Sequence, residues 1–355
     1  MNPVVSIILT AYNASASISK CLSSAINQTM GNIEIIVIDD NSTDDTLTIL
    51  HNMKQKDERI TIISHKTNEG PHCSRYDGVM AAQGKYLIFL DDDDDIVEDL
   101  CEIAINAIEQ YDVDVLQFRS SIIFENLDPE RFSHIYTITQ PNPFIIQYPI
   151  KSVFGGVKWN ANLVVWNKLY KTNVVKKAYE VIGRPCLYYD EDLLENFVVY
   201  LSSASTHSIP NALYNYHYGA GMYPMIQTDI KRIEKKIGDA LFIYRFVSHT
   251  IANNSNLNGE KKFLDDYCLI RIDNCFESIE KIEGQQEISL KTICNMWKGT
   301  EFVGYIRYKQ LQHNVKWYQV DRWMLIALIK IFYCIKREGI RKTISICCTK
   351  LLSNI

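Results

Sequence analysis

The chain has 355 residues with 37 basic and 42 acidic side chains, and its net charge of −5 argues against a nucleic-acid binder that works by overall attraction to phosphates. A hydrophobic fraction of 47% and a charged fraction of 22% describe an ordinary globular protein, long enough for two domains or one domain with a large appendage. Its ten cysteines are scattered without a CxxC pair, as expected of buried thiols in a reducing cytoplasm, and they and most histidines read as structural. The N-terminus shows no basic region of a signal peptide, and no apolar run approaches the ~18 residues of a membrane span, so a soluble or peripheral cytoplasmic protein is expected.

Val4 to Leu9 is rich in β-branched and apolar residues and is expected as a first strand, ending at Thr10-Ala11-Tyr12-Asn13. A helix follows with Ser15 or Ser17 as N-cap and Ile18, Cys21, Leu22, Ala25 and Ile26 on one face. Ile33 to Ile38 is a second strand closing on Asp39-Asp40, and Thr43 or Asp44 caps the next helix. Ile60 to Ile63 is a third strand. Asn68-Glu69-Gly70-Pro71 forms a turn into a helix that runs through Val79 and Ala82 to Gly84. Lys85 to Leu90 has no polar alternation, as in a strand buried on both faces, and five aspartates, Asp91 to Asp95, follow it directly. Leu100 to Ile108 is amphipathic, and Val113 to Phe118 makes a fifth strand.

Strands and helices alternating at this spacing predict βαβ units and a mainly parallel sheet flanked by helices. Residues 120–149 read as loops with short strands. Glu191 opens a helix with Leu193, Leu194, Phe197, Val198 and Leu201 on its apolar face, and Ile209 to Tyr216 returns as a strand. Beyond Ile226 the texture is helical. The expected organisation is one domain over 1–225, made of halves 1–118 and 119–225, and a helical C-terminal appendage over 226–355.

Five adjacent carboxylates repel one another unless a cation sits among them, and oxygen-only ligands suit Mg²⁺ or Mn²⁺. Their place at the carboxyl end of a buried strand is where open α/β sheets bind ligands. Asp39-Asp40 and Thr10 to Asn13 end two further strands, so in a parallel sheet all three groups converge on one cleft. Neither GxxxxGK[ST] nor GxGxxG is present, which leaves phosphate to be held by metal and side chains.

The blocks VSIILTAYNASASISKCLSSAINQ, IEIIVIDDNSTDDT, NEGPHCSRYDGVMAAQGKYLIFLDDDDD and YYDEDLLENF, in order between Val4 and Tyr218, resemble the family-2 glycosyltransferases of GT-A fold, inverting enzymes that use nucleotide sugars. The resemblance implies a UDP-sugar donor, a glycan or lipid-linked glycan acceptor and a divalent metal. It puts Thr10 and Tyr12 beside the uridine, with Asp39 ahead of Asp40, whose carboxylate reads uracil N3–H. Asn68 and Gly70 open the block that carries Arg75, which approaches base or phosphates; Tyr76 stands where asparagine is usual. The family's DxD falls on Asp91-Asp92-Asp93, with Asp91 toward ribose or sugar and Asp93 as metal ligand. Glu191-Asp192 falls on the ED motif, and either could be the base, with Asp192 preferred. An in-line inverting transfer needs that one base on the acceptor side. Lys168 approaches acceptor or phosphate, Trp159 and Trp166 are sugar-stacking or core residues, and His217 is a third metal ligand, a diphosphate contact or a surface histidine. Gly219 to Gly221 would hinge a lid.

From Arg322 the chain combines seven basic residues with one acid and apolar residues at helical spacing. That pattern suits an anionic membrane surface, a helix pair packed on the catalytic domain, or a homodimer interface. Two rival readings are a sugar-phosphate nucleotidyltransferase, which would need a glycine-rich basic loop after the first strand, and a catalytically idle glycan-binding module.

Overall fold

The structure, a computed structural model, describes residues 2–124, 145–147, 164–219, 230–254 and 257. By packing, the chain divides into two compact units, Met1–Met225 with Arg245–Leu264, and Ile226–Tyr244 with Asp265–Ile355. In the first unit, β1 (Val5–Ala11), β2 (Ile33–Asp39), β3 (Ile60–Ser64) and β4 (Tyr86–Asp91) are parallel neighbours in the order β3-β2-β1-β4. Helices α1 (Ile18–Ile26), α2 (Thr46–Lys54) and α3 (Pro71–Ala81) make the crossovers. The buried run Ile7, Ile8 and Leu9 of β1 packs on both faces, each such side chain contributing roughly 1.5–3 kcal/mol by leaving water. Helix α3 lies close to the sheet: a Cβ on Gly78 would stand 2.5 Å from Ile8 Cγ2, so this position excludes a side chain.

After α4 (Leu100–Tyr111) the sheet ceases to be uniformly parallel. β6 (Val115–Phe124) continues well past Phe118, into residues expected as loop, because it pairs in parallel with the long β9 (Ser205–Tyr218). β8 (Lys168–Lys171) inserts antiparallel between β4 and β6, and the two-residue β5 (Asp95–Ile96) pairs antiparallel with β9. β7 (Ile145–Gln147) also pairs with β9. These short strands carry too little periodicity to be read from sequence. Helix α5 (Thr172–Ile182) was legible in principle, since Thr172, Val175, Ala178, Tyr179 and Ile182 bury one face at helical spacing. Helix α6 (Glu191–Ser202) follows.

One cap differs from expectation. Ser17 is the N-cap of α1, as expected, though without a side-chain bond, whereas Asp45 and not Thr43 or Asp44 is that of α2, while Asp44 accepts from the Thr46 N–H at 3.0 Å. Helix α7 (Ile230–Ala252) is 23 residues long and carries the Lys235–Asp239 ion pair. Among the described residues no helix is long and apolar enough to cross a membrane. Trp159, the Ala220-Gly221 part of the expected hinge and the tail from Arg322 lie outside the described residues.

Candidate active site

Register alone brings three strand ends together. Thr10 of β1 lies opposite Asp91 of β4, and Ala11 lies opposite Asp39 of β2. Beyond Asp91 the chain turns, the Asp94 N–H donating to the Asp91 carbonyl at 3.2 Å, and Asp92 Oδ2 accepts from the Tyr12 N–H at 2.9 Å. Asp91, Asp92 and Asp93 stay partly open. Burial, helped by the neighbouring carboxylates, pushes Asp91 up to about 6 and Asp92 up to about 8, and burial raises Asp93 as well. Three clustered hard-oxygen donors whose charge is resisted by their surroundings fit a divalent ion of the Mg²⁺ or Mn²⁺ class.

The last two aspartates serve another purpose. Asp94 accepts from the Tyr214 hydroxyl and the His217 N–H, both at 2.8 Å. Asp95 accepts from Asn215 at 2.6 Å and pairs with Lys20 at 2.6 Å. These bonds tie the turn to β9. His217 belongs to this anchor and is not a surface residue. It is buried, and its Nε2 lies 2.7 Å from Asp95 Oδ2 and 2.9 Å from Lys20 Nζ.

At the end of β2 the two aspartates divide in the same way, and here the expectation for Asp40 is corrected. Asp40 Oδ1 accepts from the Glu69 N–H and meets His65 Nδ1 at 2.7 Å, while Oδ2 accepts from the Gly70 N–H. Its lone pairs are engaged in holding the Asn68–Gly70 loop rather than offered to a base. Asp39 is the carboxylate with an unpartnered oxygen: buried Oδ1 has no hydrogen-bond partner, and neither has Asn68 Oδ1. Gly70 has φ +90°, and a Cβ there would stand 2.6 Å from the Leu187 carbonyl, so this loop requires glycine. The Tyr188 hydroxyl donates to the Asn68 carbonyl at 2.8 Å.

Arg75 projects from α3 into a set of acids. Its Nη1 is 3.1 Å from both Glu191 and Glu195 and 3.9 Å from Asp192, and its Nη2 is 3.6 Å from Asp91. An arginine expected beside base or phosphates is thus a buried strut from the aspartate turn to α6. Glu195, four residues beyond Glu191 and on the same helix face, also accepts from His72 Nδ1 at 2.8 Å, while His72 Nε2 meets the Gly183 carbonyl at 3.1 Å. Sequence reasoning missed His72 and Glu195. The i, i+3 spacing of His72 and Arg75 and the i, i+4 spacing of Glu191 and Glu195 were the available signals.

Of the two candidate bases, Glu191 is buried against Arg75, and burial followed by the Asp192 charge pushes its carboxyl well up. The Asp192 side chain is 34% exposed and keeps only the long contact to Arg75. Asp192 is the accessible carboxylate of the pair. Lys168 is corrected: it is fully buried, donates to the Val164 carbonyl and Asn167 Oδ1, and burial lowers it to about 7. Trp166 stacks on Tyr214 and Tyr216, with centroids 4.4 and 5.0 Å apart, and is core. A hollow of about 640 Å³ lined by Gln83, Lys85, Lys171 and Lys176 lies at the opposite, N-terminal end of β4, away from these acids.

The model of glycosyl transferase family 2 matches residues 6–164. The putative glycosyltransferase EpsH of Bacillus subtilis is 28% identical over 291 residues, covering 81% of this chain and 80% of that protein. Residues 6–164 of the chain thus carry a family-2 glycosyltransferase domain. A GalNAc(5)-diNAcBac-PP-undecaprenol beta-1,3-glucosyltransferase of Campylobacter jejuni is 35% identical over 96 residues, 27% of this chain and 31% of that one. Among solved structures, S. aureus TarS 1-349 in complex with UDP aligns with a TM-score of 0.58 and 17% identity over 94% of this chain and 91% of that one. The fold is thereby GT-A, shared with the glycosyltransferase superposed on it. The family match stops before α6, so the roles of Glu191 and Asp192 rest on the family-2 resemblance of their block and on geometry.

Proposed function

We propose that this family-2 glycosyltransferase is a metal-dependent inverting enzyme that moves a hexose or N-acetylhexosamine from a UDP-sugar to a growing glycan or lipid-linked glycan of a bacterial surface polysaccharide. One observation carries the reading: a single guanidinium, Arg75, spans the donor-side carboxylate Asp91 and the exposed carboxylate Asp192. Donor and acceptor chemistry are thus fixed relative to each other. Asp192 takes the proton of the acceptor hydroxyl as that oxygen attacks the anomeric carbon from the face opposite the departing diphosphate, which inverts the centre. The chain holds uracil N3–H with the unpartnered Asp39 Oδ1, and Tyr12 is set in place by its backbone bond to Asp92. A Mg²⁺ or Mn²⁺ ion at Asp91 and Asp93, when bound, neutralises the leaving diphosphate.

The names of the relatives support the donor and acceptor classes: TarS is described in complex with UDP and with UDP-GlcNAc, and the Campylobacter protein acts on an undecaprenol-linked glycan. A mannosyltransferase of Pyrobaculum calidifontis, with a TM-score of 0.50 and 12% identity, is described with GDP-Man and Mn²⁺. The basic amphipathic tail from Arg322 is the reason to seek this enzyme, as a peripheral protein or a dimer, at the inner face of the membrane. Residues 1–225 are assigned to catalysis and 226–355 to that docking role.

The experiment separates chemistry from binding. In Asp192→Asn, UDP-sugar affinity stays near wild type while transfer falls roughly 10²-fold or more, the scale of a positioned base. Loss of transfer in Glu191→Gln but not in Asp192→Asn reverses the assignment. A product that keeps the donor's anomeric configuration, or tighter binding of GDP than UDP, overturns the reading, and failure to release UDP from any donor and acceptor leaves only a binding module.

A further inference from the structure

Apart from the aspartate turn, three side chains meet that the transfer reaction does not use. Glu69, Cys73 and Cys186 each offer one ligand atom, and these atoms lie within 4.8 Å of one another. Cys73 sits in the first turn of α3, two residues before Arg75, and Cys186 lies in the segment joining α5 to α6. Their sulfur atoms are 3.7 Å apart and not bonded to each other. Two thiolates bound tetrahedrally at ~2.3 Å to one metal stand ~3.8 Å apart, whereas a disulfide requires ~2.05 Å. At 3.7 Å the two thiols are in hydrogen-bond contact, and the same spacing suits two thiolates on one shared ion.

Glu69 completes the set and comes with its own support. Arg184 Nη1 holds Glu69 Oε2 at 2.5 Å, and the same guanidinium grips Asp77 at 2.9 and 2.6 Å. A ligand carboxylate fixed by an outer partner is the usual arrangement around a bound metal. Cys73 is buried and Cys186 exposed, which leaves a path for the ion and an open position for water.

We propose that Glu69, Cys73 and Cys186 form a second cation site, for a thiophilic divalent ion of the Zn²⁺ class. It is distinct in chemistry from the oxygen-only aspartates and does not depend on the glycosyl-transfer reading. Such an ion staples the Asn68–Gly70 loop, helix α3 and the segment that ends on Asp190, whose left-handed backbone (φ 60°) starts α6 just before Asp192. It would order both ends of the Arg75 strut.

The test uses the full chain, stripped of metal, reduced with a phosphine and titrated with Cd²⁺. Cadmium bound to thiolate absorbs in the near ultraviolet, and cadmium bound to carboxylates alone does not. One equivalent is expected in wild type, lost in Cys186→Ser and weakened roughly tenfold or more in Glu69→Gln, the floor set by losses of outer partners alone. Zn²⁺ should raise the melting temperature of wild type and not of Cys186→Ser. An unchanged cadmium spectrum in Cys186→Ser overturns the site, because the ion then sits on other cysteines. So does a reduced wild type that takes up no cadmium, in particular if peptide mapping finds a Cys73–Cys186 disulfide before reduction. Mn²⁺-dependent turnover is read separately and neither outcome requires it.

Discussion

The ends of β2 and β4 are both runs of aspartate, and in both the run divides into a part held by the protein and a part left for a ligand. At β2 the second residue, Asp40, takes two backbone N–H groups and His65, and Asp39 keeps an unpartnered oxygen. At β4 the order is reversed. Asp91 to Asp93 remain partly open, and Asp94 and Asp95 are anchored to β9 by Tyr214, Asn215 and His217. Residue type and adjacency are the same in the two places. What differs is which carboxylate meets donors from a neighbouring segment: the Asn68–Gly70 loop folds over the second residue of one run, and β9 crosses the last two of the other. A carboxylate supplied with protein donors builds the site, and one without them can work in it.

The largest expected effect tests the open half of the β4 run. Asp93→Asn should lower metal-dependent turnover by roughly 10²-fold or more while leaving the melting temperature near wild type. Full turnover of the wild type in excess chelator would break the distinction at once. Next in size is the β2 pair. Asp39→Asn should weaken UDP binding about 10- to 100-fold, the worth of a buried charged hydrogen bond, without loss of fold. Asp40→Asn should chiefly lower the melting temperature by loosening the Glu69–Gly70 backbone. Calorimetry with UDP and a thermal melt on both variants decide it, with exposed Glu58 as the control; Asp57 is unsuitable because it grips Arg59 at 2.6 Å. Equal UDP affinity in Asp39→Asn and wild type would remove Asp39 from the base site.

Much of this site was legible because the sheet is regular where it carries the donor acids. Buried apolar runs located β1, β2 and β4, and parallel pairing then forced Thr10, Asp39 and Asp91 to one edge. The division of labour within each acidic run was not legible, since it depends on donors 25 to 30 residues away at β2 and about 120 residues away at β4. Lys168 shows the same limit. A lysine in an aromatic block near the ED motif looks like a substrate contact, yet β8 is a central strand and its first side chain is fully buried. His72, Glu195 and Arg75 form a charged core whose members are ordinary surface residue types; only the contact of α3 with α6 makes them partners.

The anchored half of the β4 run should answer in stability instead of rate. Asp94→Ala strips acceptors from the buried Tyr214 hydroxyl and the His217 N–H. The expected cost is about 1–3 kcal/mol, partly offset because a carboxyl that burial pushes well up no longer has to be buried. Donor affinity measured well below the melting temperature should survive. If Asp94→Ala instead melts like wild type and fails to bind metal, Asp94 belongs with the ligands and the division at Asp93 is drawn in the wrong place.

The smallest effect is a pH slope, and it reports on the open half directly. In the metal-free protein Asp91 is pushed up to about 6 and Asp92 to about 8, against an ordinary carboxylate value of 3.8. The folded chain therefore holds protons that the unfolded chain has already released, and stability falls as pH rises through this window. Lys168, lowered to about 7 from 10.5, acts in the opposite sense above pH 7, where the unfolded chain binds the extra proton. Melts between about pH 5 and 7 avoid that opposition. Histidines also titrate there, so the quantity to follow is the difference between wild type and Asp92→Asn. The wild type should lose about 2–4 °C relative to the variant across the window, and saturating Mn²⁺ should abolish the loss because the cation replaces the protons. Parallel curves for the two proteins would mean that the open aspartates are no more costly to ionise than surface acids, and the electrostatic case for a cation among them would fail with that result.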